Sequence, residues 1–434
     1  MTPFKHRETI EFLKWEAIKA EQERLLQQHL AYAESYSPYY RKLFQSHTIQ
    51  SNKISLDSLH TLPLTDKTCL AEQNGDFLAV PMSKIVDIVL SSGTTGKPTT
   101  IMYTEDDLQR LEYNEVISFT SCGLTSDDVV LLTCTIDRCF IAGLAYFSGI
   151  RGLGAAAIRN GLNNVESHLE VIQRLKPTAM VGVPTFLLKL GQYVQSQGLD
   201  PGSLGIRKMV CIGEPLRGQD LSFLKVGKAL EEIWNADVYS TYASSEAITS
   251  FCECTSKQGG HLHPDLAVVE IIDDNGEVLP SGKTGEVVLT PLSIEGMPLV
   301  RFRTGDISFL IDEPCECGRN SVRLGPILGR RQQMIKFRGT TMYPGTLYAA
   351  LDSIPQINEY FVVATCGYDL SDFISVHVSV NDSRLTTKEI EDKLQAVLRA
   401  RPEVHIVSDD IIKKQLYAGN ARKVTRFVDK RTNQ

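Results

Sequence analysis

The densest run of chemically useful side chains lies at residues 91–100. There Ser91, Ser92, Gly93, Thr94, Thr95, Gly96, Lys97, Pro98, Thr99 and Thr100 follow one another. A loop of this kind can wrap backbone N–H groups and hydroxyls around phosphate oxygens, with Lys97 supplying positive charge. It is not a Walker loop, whose glycines stand further apart and whose lysine is followed directly by Ser or Thr. Here only Thr94 and Thr95 separate the two glycines, and Pro98 follows the lysine. Two further groups lie downstream. Tyr242 to Glu246 reads Tyr-Ala-Ser-Ser-Glu, and Arg301 to Asp306 reads Arg-Phe-Arg-Thr-Gly-Asp. A tyrosine offers a flat face to a base, a glutamate offers the oxygen ligands that Mg²⁺ prefers, and an aspartate can accept from ribose hydroxyls. Each alone reads equally well as a surface or core residue; their combination carries the case.

Cysteine is the other conspicuous type. Of 10 cysteines, Cys252 and Cys254 form one Cys-x-Cys pair and Cys315 and Cys317 another. In a long chain without a secretion signal, clustered cysteines are more often metal ligands than disulfides. The other six are expected as small core residues.

The elements that must position these groups follow from the hydrophobic pattern. Residues 7–35 carry Ile10, Leu13, Ile18, Leu25 and Leu26 at helical spacing, which predicts one long helix ending before Pro38. The β-branched run 85–90 predicts a strand leading into the Gly/Ser/Thr loop. Thr104 and Asp107 have capping-box spacing, and Glu105 and Asp106 suit the positive end of a helix that starts there. Strand-like runs at 129–133, 155–158, 179–183, 208–212 and 237–240 then alternate with helical ones at 165–175, 185–195 and 218–233, the pattern of an α/β fold with largely parallel sheet. Between residues 266 and 310 helices give way to strands at 268–272, 285–289 and 307–310, a barrel-like patch. From residue 334 an α+β pattern returns, with strands at 334–337, 359–365 and 373–380 and a helix at 387–400. The expected division is 1–330 and 331–434. Gly152, Gly154 and Ala157 match a dinucleotide-binding pattern, but no clean strand precedes them and a strand follows, which excludes a nicotinamide site.

The totals agree with a soluble enzyme. The chain has 434 residues, a formal net charge of -7 and 42% hydrophobic residues. That length exceeds one hydrophobic core, and the acidic balance argues against a general nucleic-acid binder. The apolar stretch at 139–150 is too short for a membrane span, and residues 1–14 lack a signal-peptide core, so a cytoplasmic location is expected.

The motifs taken together resemble the adenylate-forming superfamily of acyl-CoA synthetases, and within it the phenylacetate–CoA ligase family. In order these are residues 91–100, Gly213-Glu214-Pro215-Leu216, Tyr242 to Glu246, Arg301 to Asp306, the segment 329–339 that opens Gly329-Arg330-Arg331-Gln332-Gln333, and 422–429 with Lys423. The likeness runs over essentially the whole chain. It implies that a carboxylate attacks the α-phosphate of ATP, giving an acyl-adenylate and pyrophosphate, after which a thiol, usually coenzyme A, displaces AMP. It implies that Ser92, Thr94, Thr95, Gly96, Lys97 and Ser245 hold phosphates, and that Gly213, Glu214 and Pro215 line the adenine with Tyr242 on the base. Glu246 would bind Mg²⁺, Asp306 the ribose with Arg330 assisting, and Lys423 would bridge the acyl carboxylate and α-phosphate. The small C-terminal domain would turn about Gln332 and Gln333. The family's zinc site would fall on Cys254, His261, Cys315 and Cys317, with Cys252 and His263 as spares. Phe140, Tyr146 and Arg138 are candidates for the acid pocket; Arg138 can equally pair with Asp137 on the surface.

Three positions depart from the family pattern. Ser245 stands where a threonine is common, Gln332-Gln333 where two aspartates are common, and Arg422 where a glycine usually precedes the lysine. Gln332, Gln333 and Arg422 keep open transfer of the adenylate to an amine or a carrier-protein thiol; a nucleotide-binding regulatory protein without catalysis is a separate alternative, against which the retention of Lys423 and Glu246 argues. The expected partners are a small aryl or arylalkyl acid, ATP and coenzyme A, with a homodimer as a candidate assembly and neither nucleic acid nor membrane.

Overall fold

In a computed structural model the chain is described at residues 10–91, 99–337, 340–366, 372–382, 384–398, 400–417 and 424–431. It divides into two compact units. The first comprises residues 1–213, 230–304 and 308–326; the second takes 214–229, 305–307 and 327–434.

The first unit opens with a short 3-10 turn, Ile10–Phe12, followed by α1 (Trp15–Tyr36) and α2 (Pro38–Ser46). The helix expected over 7–35 thus starts at Trp15. The segment before it folds back, and the backbone N–H of Asn320 donates to the Glu11 carbonyl at 2.7 Å. The inner face of α1 buries Ile18 together with Leu25, Leu26 and Leu30, and the three leucines join Tyr40, Phe44, Phe77 and Phe302 in one core. Then come α3 (Lys67–Glu72), α4 (Asn74–Phe77), and the antiparallel pair β1 (Ile85–Leu90) and β2 (Thr100–Thr104) on either side of residues 91–99.

α5 (Glu105–Ser121) begins with the capping box read from the sequence, Thr104 and Asp107 each accepting from the other's backbone N–H. After it run β3 (Val129–Leu132), α6 (Ile141–Gly152), β4 (Ala156–Arg159), α7 (Val165–Leu175), β5 (Ala179–Gly182), α8 (Pro184–Ser196), β6 (Lys208–Ile212), α9 (Lys225–Trp234), β7 (Asp237–Ser244) and β8 (Thr249–Cys252). The strands form one sheet in the order β4-β3-β5-β6-β7-β8, parallel except for β8. The chain steps from β3 out to β4 and back to β5 beside β3, so the carboxyl ends of β3 and β5 flank a switch point, where such sheets bind ligands. Helix α6 was not anticipated, because an apolar run with little polar alternation shows no clear period. It packs closely on α5, where a Cβ at Gly149 would lie 2.3 Å from that of Glu115, and on the segment after β3, where one at Gly143 would lie 2.1 Å from the Thr135 carbonyl oxygen. Gly152 ends α6 and strand β4 follows, the reverse of a dinucleotide-binding turn.

The expected helix 218–233 starts only at Lys225. Asp220 accepts from the Ser222 backbone and hydroxyl, Leu221 takes φ +65°, and Gly218 donates to the Ser222 carbonyl, so a turn replaces the first helical residues. Next are β9 (Gly260–His261), β10 (Ala267–Ile272), β11 (Gly285–Pro291), β12 (Phe302–Ser308), β13 (Leu310–Ile311) and β14 (Arg323–Leu324). β10 and β11 pair antiparallel over their full length, and β9, β14 and β13 make a smaller sheet.

The second unit holds β15 (Gly329–Arg330), β16 (Ile335–Phe337), β17 (Thr340–Met342), α10 (Pro344–Asp352), β18 (Ile357–Cys366), β19 (Asp372–Val380), α11 (Thr387–Leu398), β20 (Glu403–Ile406), α12 (Asp409–Leu416) and β21 (Phe427–Asp429). Its sheet runs β20-β19-β18-β21, and Ile335, Leu351, Val362, Val376, Ile390 and Leu394 fill its core. Among the described residues no helix is long and apolar enough to cross a membrane.

Two buried ionisable groups in the first unit lead to measurable outcomes. Arg110 on α5 is 0% exposed, and burial brings its pKa down to about 10 against the pull of Asp107 and Asp265, so it remains charged at neutral pH. It donates to the carbonyls of Leu292 (2.7 Å), Ile248 (2.5 Å) and Leu266 (2.5 Å). Arg110→Met removes the guanidinium from all three carbonyls, of which that of Leu266 keeps the Leu292 N–H, and is expected to cost at least about 3 kcal/mol in urea unfolding. Burial lifts the Glu115 carboxyl to about 7, the Ser250 hydroxyl opposing it with a hydrogen bond. The folded state therefore holds a proton that the unfolded chain gives up near 4.5, so stability falls as pH rises from about 4.5 to 7 and levels off above. Glu115→Gln should flatten that slope in thermal melts and be the more stable protein at pH 8.

Candidate active site

Strand ends deliver the expected groups. At the carboxyl end of β7, Tyr242 is half-buried and stacked on Phe251, ring centroids 6.3 Å apart at 22°. Glu246 follows within a tight turn. Its Oε2 accepts from the Ser244 hydroxyl at 3.2 Å, and the Ser244 oxygen also accepts from the Ala247 N–H. Ile248 takes φ +46°, a strained state for a β-branched residue. Two buried groups hold the turn in that state. Tyr103 on β2 donates to the Ser245 carbonyl at 2.9 Å, and Arg110 donates to the carbonyl of Ile248.

The Glu246 side chain is 7% exposed. Burial works against its ionisation, but the Lys67 ammonium, 2.9 Å from Oε1, outweighs this and holds the carboxyl below its ordinary value. Lys67 escapes sequence reasoning because it stands far from Glu246 in the chain. The one local signal is Asp66, which caps α3 by accepting from the Cys69 N–H at 2.9 Å and so fixes where the first helical residue lies.

The segment 301–306 is divided in its duties. Arg301 is buried and pairs with Glu270 at 2.9 Å while donating to the His60 (2.7 Å) and Leu62 (2.6 Å) carbonyls; Arg303 pairs with Glu286. Both arginines are spent on the fold of the first unit. Asp306 belongs to the second unit. There it pairs in register with Arg330, whose Nε lies 3.4 Å from Asp306 Oδ1. Gly213, at φ +75°, ends β6 in the first unit, whereas Glu214 and Pro215 fall in the second. Gln332 and Gln333 lie in a 3-10 turn at 331–333. Ser92, Thr94, Thr95, Gly96, Lys97 and Lys423 lie outside the described residues.

The candidate acid pocket is dispersed. Arg138 pairs with Asp137 at 4.0 Å with both side chains exposed, and Arg138 and Cys139 take positive φ ahead of α6. Phe140 is the half-buried N-cap of α6, and Tyr146 is 2% exposed within the core against Phe119.

Comparison with known proteins decides the lineage. The sequence profile of AMP-binding enzymes matches residues 32–292. The chain belongs to the AMP-binding enzyme family. A phenylacetate-coenzyme A ligase of Thermus thermophilus is 30% identical over 411 residues, covering 93% of this chain and 91% of its own. One from Pseudomonas putida is 27% identical, covering 92% of each. A 2-hydroxyisobutyryl-CoA ligase crystallised in the postadenylation state with 2-HIB-AMP matches in fold, with a TM-score of 0.83 at 22% identity, covering 99% of this chain and 91% of that one.

This AMP-binding enzyme also gathers Cys254, His261, Cys315 and Cys317, whose ligand atoms all lie within 4.8 Å of one another. Cys254 and Cys315 sulfurs are 3.6 Å apart, and Cys317 Sγ is 3.3 Å from His261 Nε2. A tetrahedron with zinc–sulfur bonds of ~2.3 Å has edges of roughly 3.8 Å, so the donor set fits that metal. The other ring nitrogen of His261 meets the Ser321 hydroxyl at 2.9 Å, and burial first, then Arg319 and Arg323, brings the imidazole pKa down to about 4, the neutral form a ligand needs. The two spares serve elsewhere. Cys252 accepts from the Thr241 hydroxyl at 3.0 Å, and His263 meets Glu11 at 2.7 Å and Ser118 at 3.3 Å. Glu11 and Arg319, both unread in the sequence, pair at 2.8 Å and join the cysteine loop to the start of the chain.

Proposed function

We propose that this chain activates an aryl or arylalkyl carboxylic acid with ATP, releasing pyrophosphate, and transfers the acyl group from the adenylate to coenzyme A. One observation carries this reading: relatives bearing the name phenylacetate-coenzyme A ligase align over more than nine-tenths of both chains. The geometry at Glu246 supports it, since a buried carboxylate held ionised beside a hydroxyl is a hard-oxygen site suited to Mg²⁺. Bound there, Mg²⁺ would neutralise phosphate charge. Tyr242 would stack on adenine, Asp306 would accept from the ribose hydroxyls with Arg330 holding its carboxylate, and residues 91–100 would cradle the phosphates.

In the first step a carboxylate oxygen attacks the α-phosphorus and pyrophosphate leaves. Both reactants are anions, so the ammonium of Lys423 between them lowers the barrier by stabilising charge as it develops. In the second step the thiol attacks the acyl carbon and AMP departs with the electron pair. Withdrawal of Lys423 by a turn of the small domain about Gln332 and Gln333 would separate the two steps, a gating motion. Zinc at Cys254, His261, Cys315 and Cys317 would cross-link the chain around β9 to the loop between β13 and β14. A cytoplasmic location belongs to the same reading.

ATP–pyrophosphate exchange against a panel of carboxylic acids is the first test, and no exchange with any acid would sink the reading. Lys423→Ala should lose exchange by at least about a hundredfold, yet convert supplied acyl-adenylate to thioester at near the normal rate. If product forms only when an amine or a carrier protein replaces coenzyme A, the acceptor is reassigned. The purified chain should carry one zinc by elemental analysis. Cys317→Ser should lose the metal and melt at lower temperature, because binding free energy to a folded site is also stability.

A further inference from the structure

The Glu246 carboxylate has a cationic partner that the adenylation chemistry above does not use. Lys67 Nζ lies 2.9 Å from Glu246 Oε1, with the side chains 24% and 7% exposed. Lys67 is the first residue of the six-residue helix α3, the end at which the helix dipole disfavours a cation. Local helix energetics therefore do not account for a lysine there. Its backbone is nonetheless firmly anchored. Thr65, two residues earlier, donates its N–H to the Arg301 carbonyl at 3.1 Å, accepts from the Arg303 N–H at 2.7 Å, and gives its hydroxyl to the Val300 carbonyl at 2.8 Å. The ammonium thus reaches the carboxylate from a fixed base through a flexible stem.

Glu246 needs such a partner. A carboxylate this buried is costly when uncompensated, and the Ser244 hydroxyl with the residue's own backbone N–H does not repay the loss of water. A divalent cation would repay it too, and a metal ion and an ammonium on one carboxylate repel each other. The two are therefore linked: whatever free energy Lys67 contributes to Glu246 in the metal-free protein is withdrawn from metal binding. Lysine suits an exchangeable role, being a point charge on a four-carbon stem, whereas arginine would grip the carboxylate in a planar fork.

We propose that Lys67 is a built-in counter-ion of Glu246, a positioning residue that holds the carboxylate in place until a divalent cation arriving with the nucleotide displaces it. This rests on the assignment of Glu246 as the metal-binding carboxylate. The test measures Mn²⁺ binding by electron paramagnetic resonance in the presence of a non-hydrolysable ATP analogue, independently of turnover. Lys67→Met should bind Mn²⁺ at least about fivefold more tightly than the natural protein, and should melt at lower temperature in chelator with recovery on adding Mn²⁺ and nucleotide. Lys67→Arg, which keeps the charge and provides a check should Lys67→Met fold poorly, should bind Mn²⁺ more weakly. Unchanged or weaker Mn²⁺ binding by Lys67→Met, or unchanged binding by Lys67→Arg where only that variant folds, overturns the proposal. Glu246→Gln separates the two layers. If it binds Mn²⁺ as the natural protein does, the assignment of the metal to Glu246 falls. If it loses Mn²⁺ while the Lys67 variants bind normally, only the counter-ion role falls.

Discussion

The first unit depends on one buried guanidinium. Arg110 reaches from α5 to three separate stretches of backbone, at Ile248, Leu266 and Leu292, and is satisfied there by carbonyl oxygens rather than by a carboxylate. Main-chain acceptors fix position more strictly than an acidic side chain would, because they cannot swing away. The turn carrying Glu246, the start of β10 and the end of β11 are thereby referenced to one atom group on one helix. Tyr103 adds a second point on the same turn, so the strained Ile248 is set from two sides.

Charge placement follows the same economy. Arg301 and Arg303 look alike in sequence to functional arginines beside Asp306, yet each is neutralised by a glutamate of the neighbouring strands β10 and β11, Glu270 and Glu286. Glu246 is matched by Lys67 and Glu11 by Arg319. Other buried acids in this unit are met by neutral groups: Glu115 by a serine hydroxyl, Asp265 by the Tyr113 hydroxyl and Asp107 by backbone N–H groups, and burial raises the pKa of all three.

Much of this was legible in the residues. Alternating β-branched and amphipathic runs predict the parallel strands, and the Thr104–Asp107 capping box marks the start of α5 to the residue. Cys254, Cys315 and Cys317, singled out in the sequence, lie together with His261. What escaped was set by tertiary context. Helix α6 is apolar nearly all round, so it has no period to read. The turn at 218–222 is decided by an aspartate bonding its own backbone, which competes with a helix whose hydrophobic spacing looks sound. Tyr146, read as a pocket candidate, sits in the core against Phe119. Lys67 and Arg319 acquire meaning only through partners that the fold brings to them from far along the chain.

The clasp between Glu11 and the cysteine loop has a consequence for how the protein is made. Arg319 lies 308 residues beyond Glu11, and His263 lies 252 beyond it. At ~5–20 residues per second of synthesis, the first turn of the chain waits roughly 15–60 s for its partners to emerge from the ribosome. During that interval the Phe12 ring has no Arg319 over it, and the Glu11 and Leu13 carbonyls have no Asn320 to bind. The segment around Glu11 is thus made well before its partners and is among the last to lock.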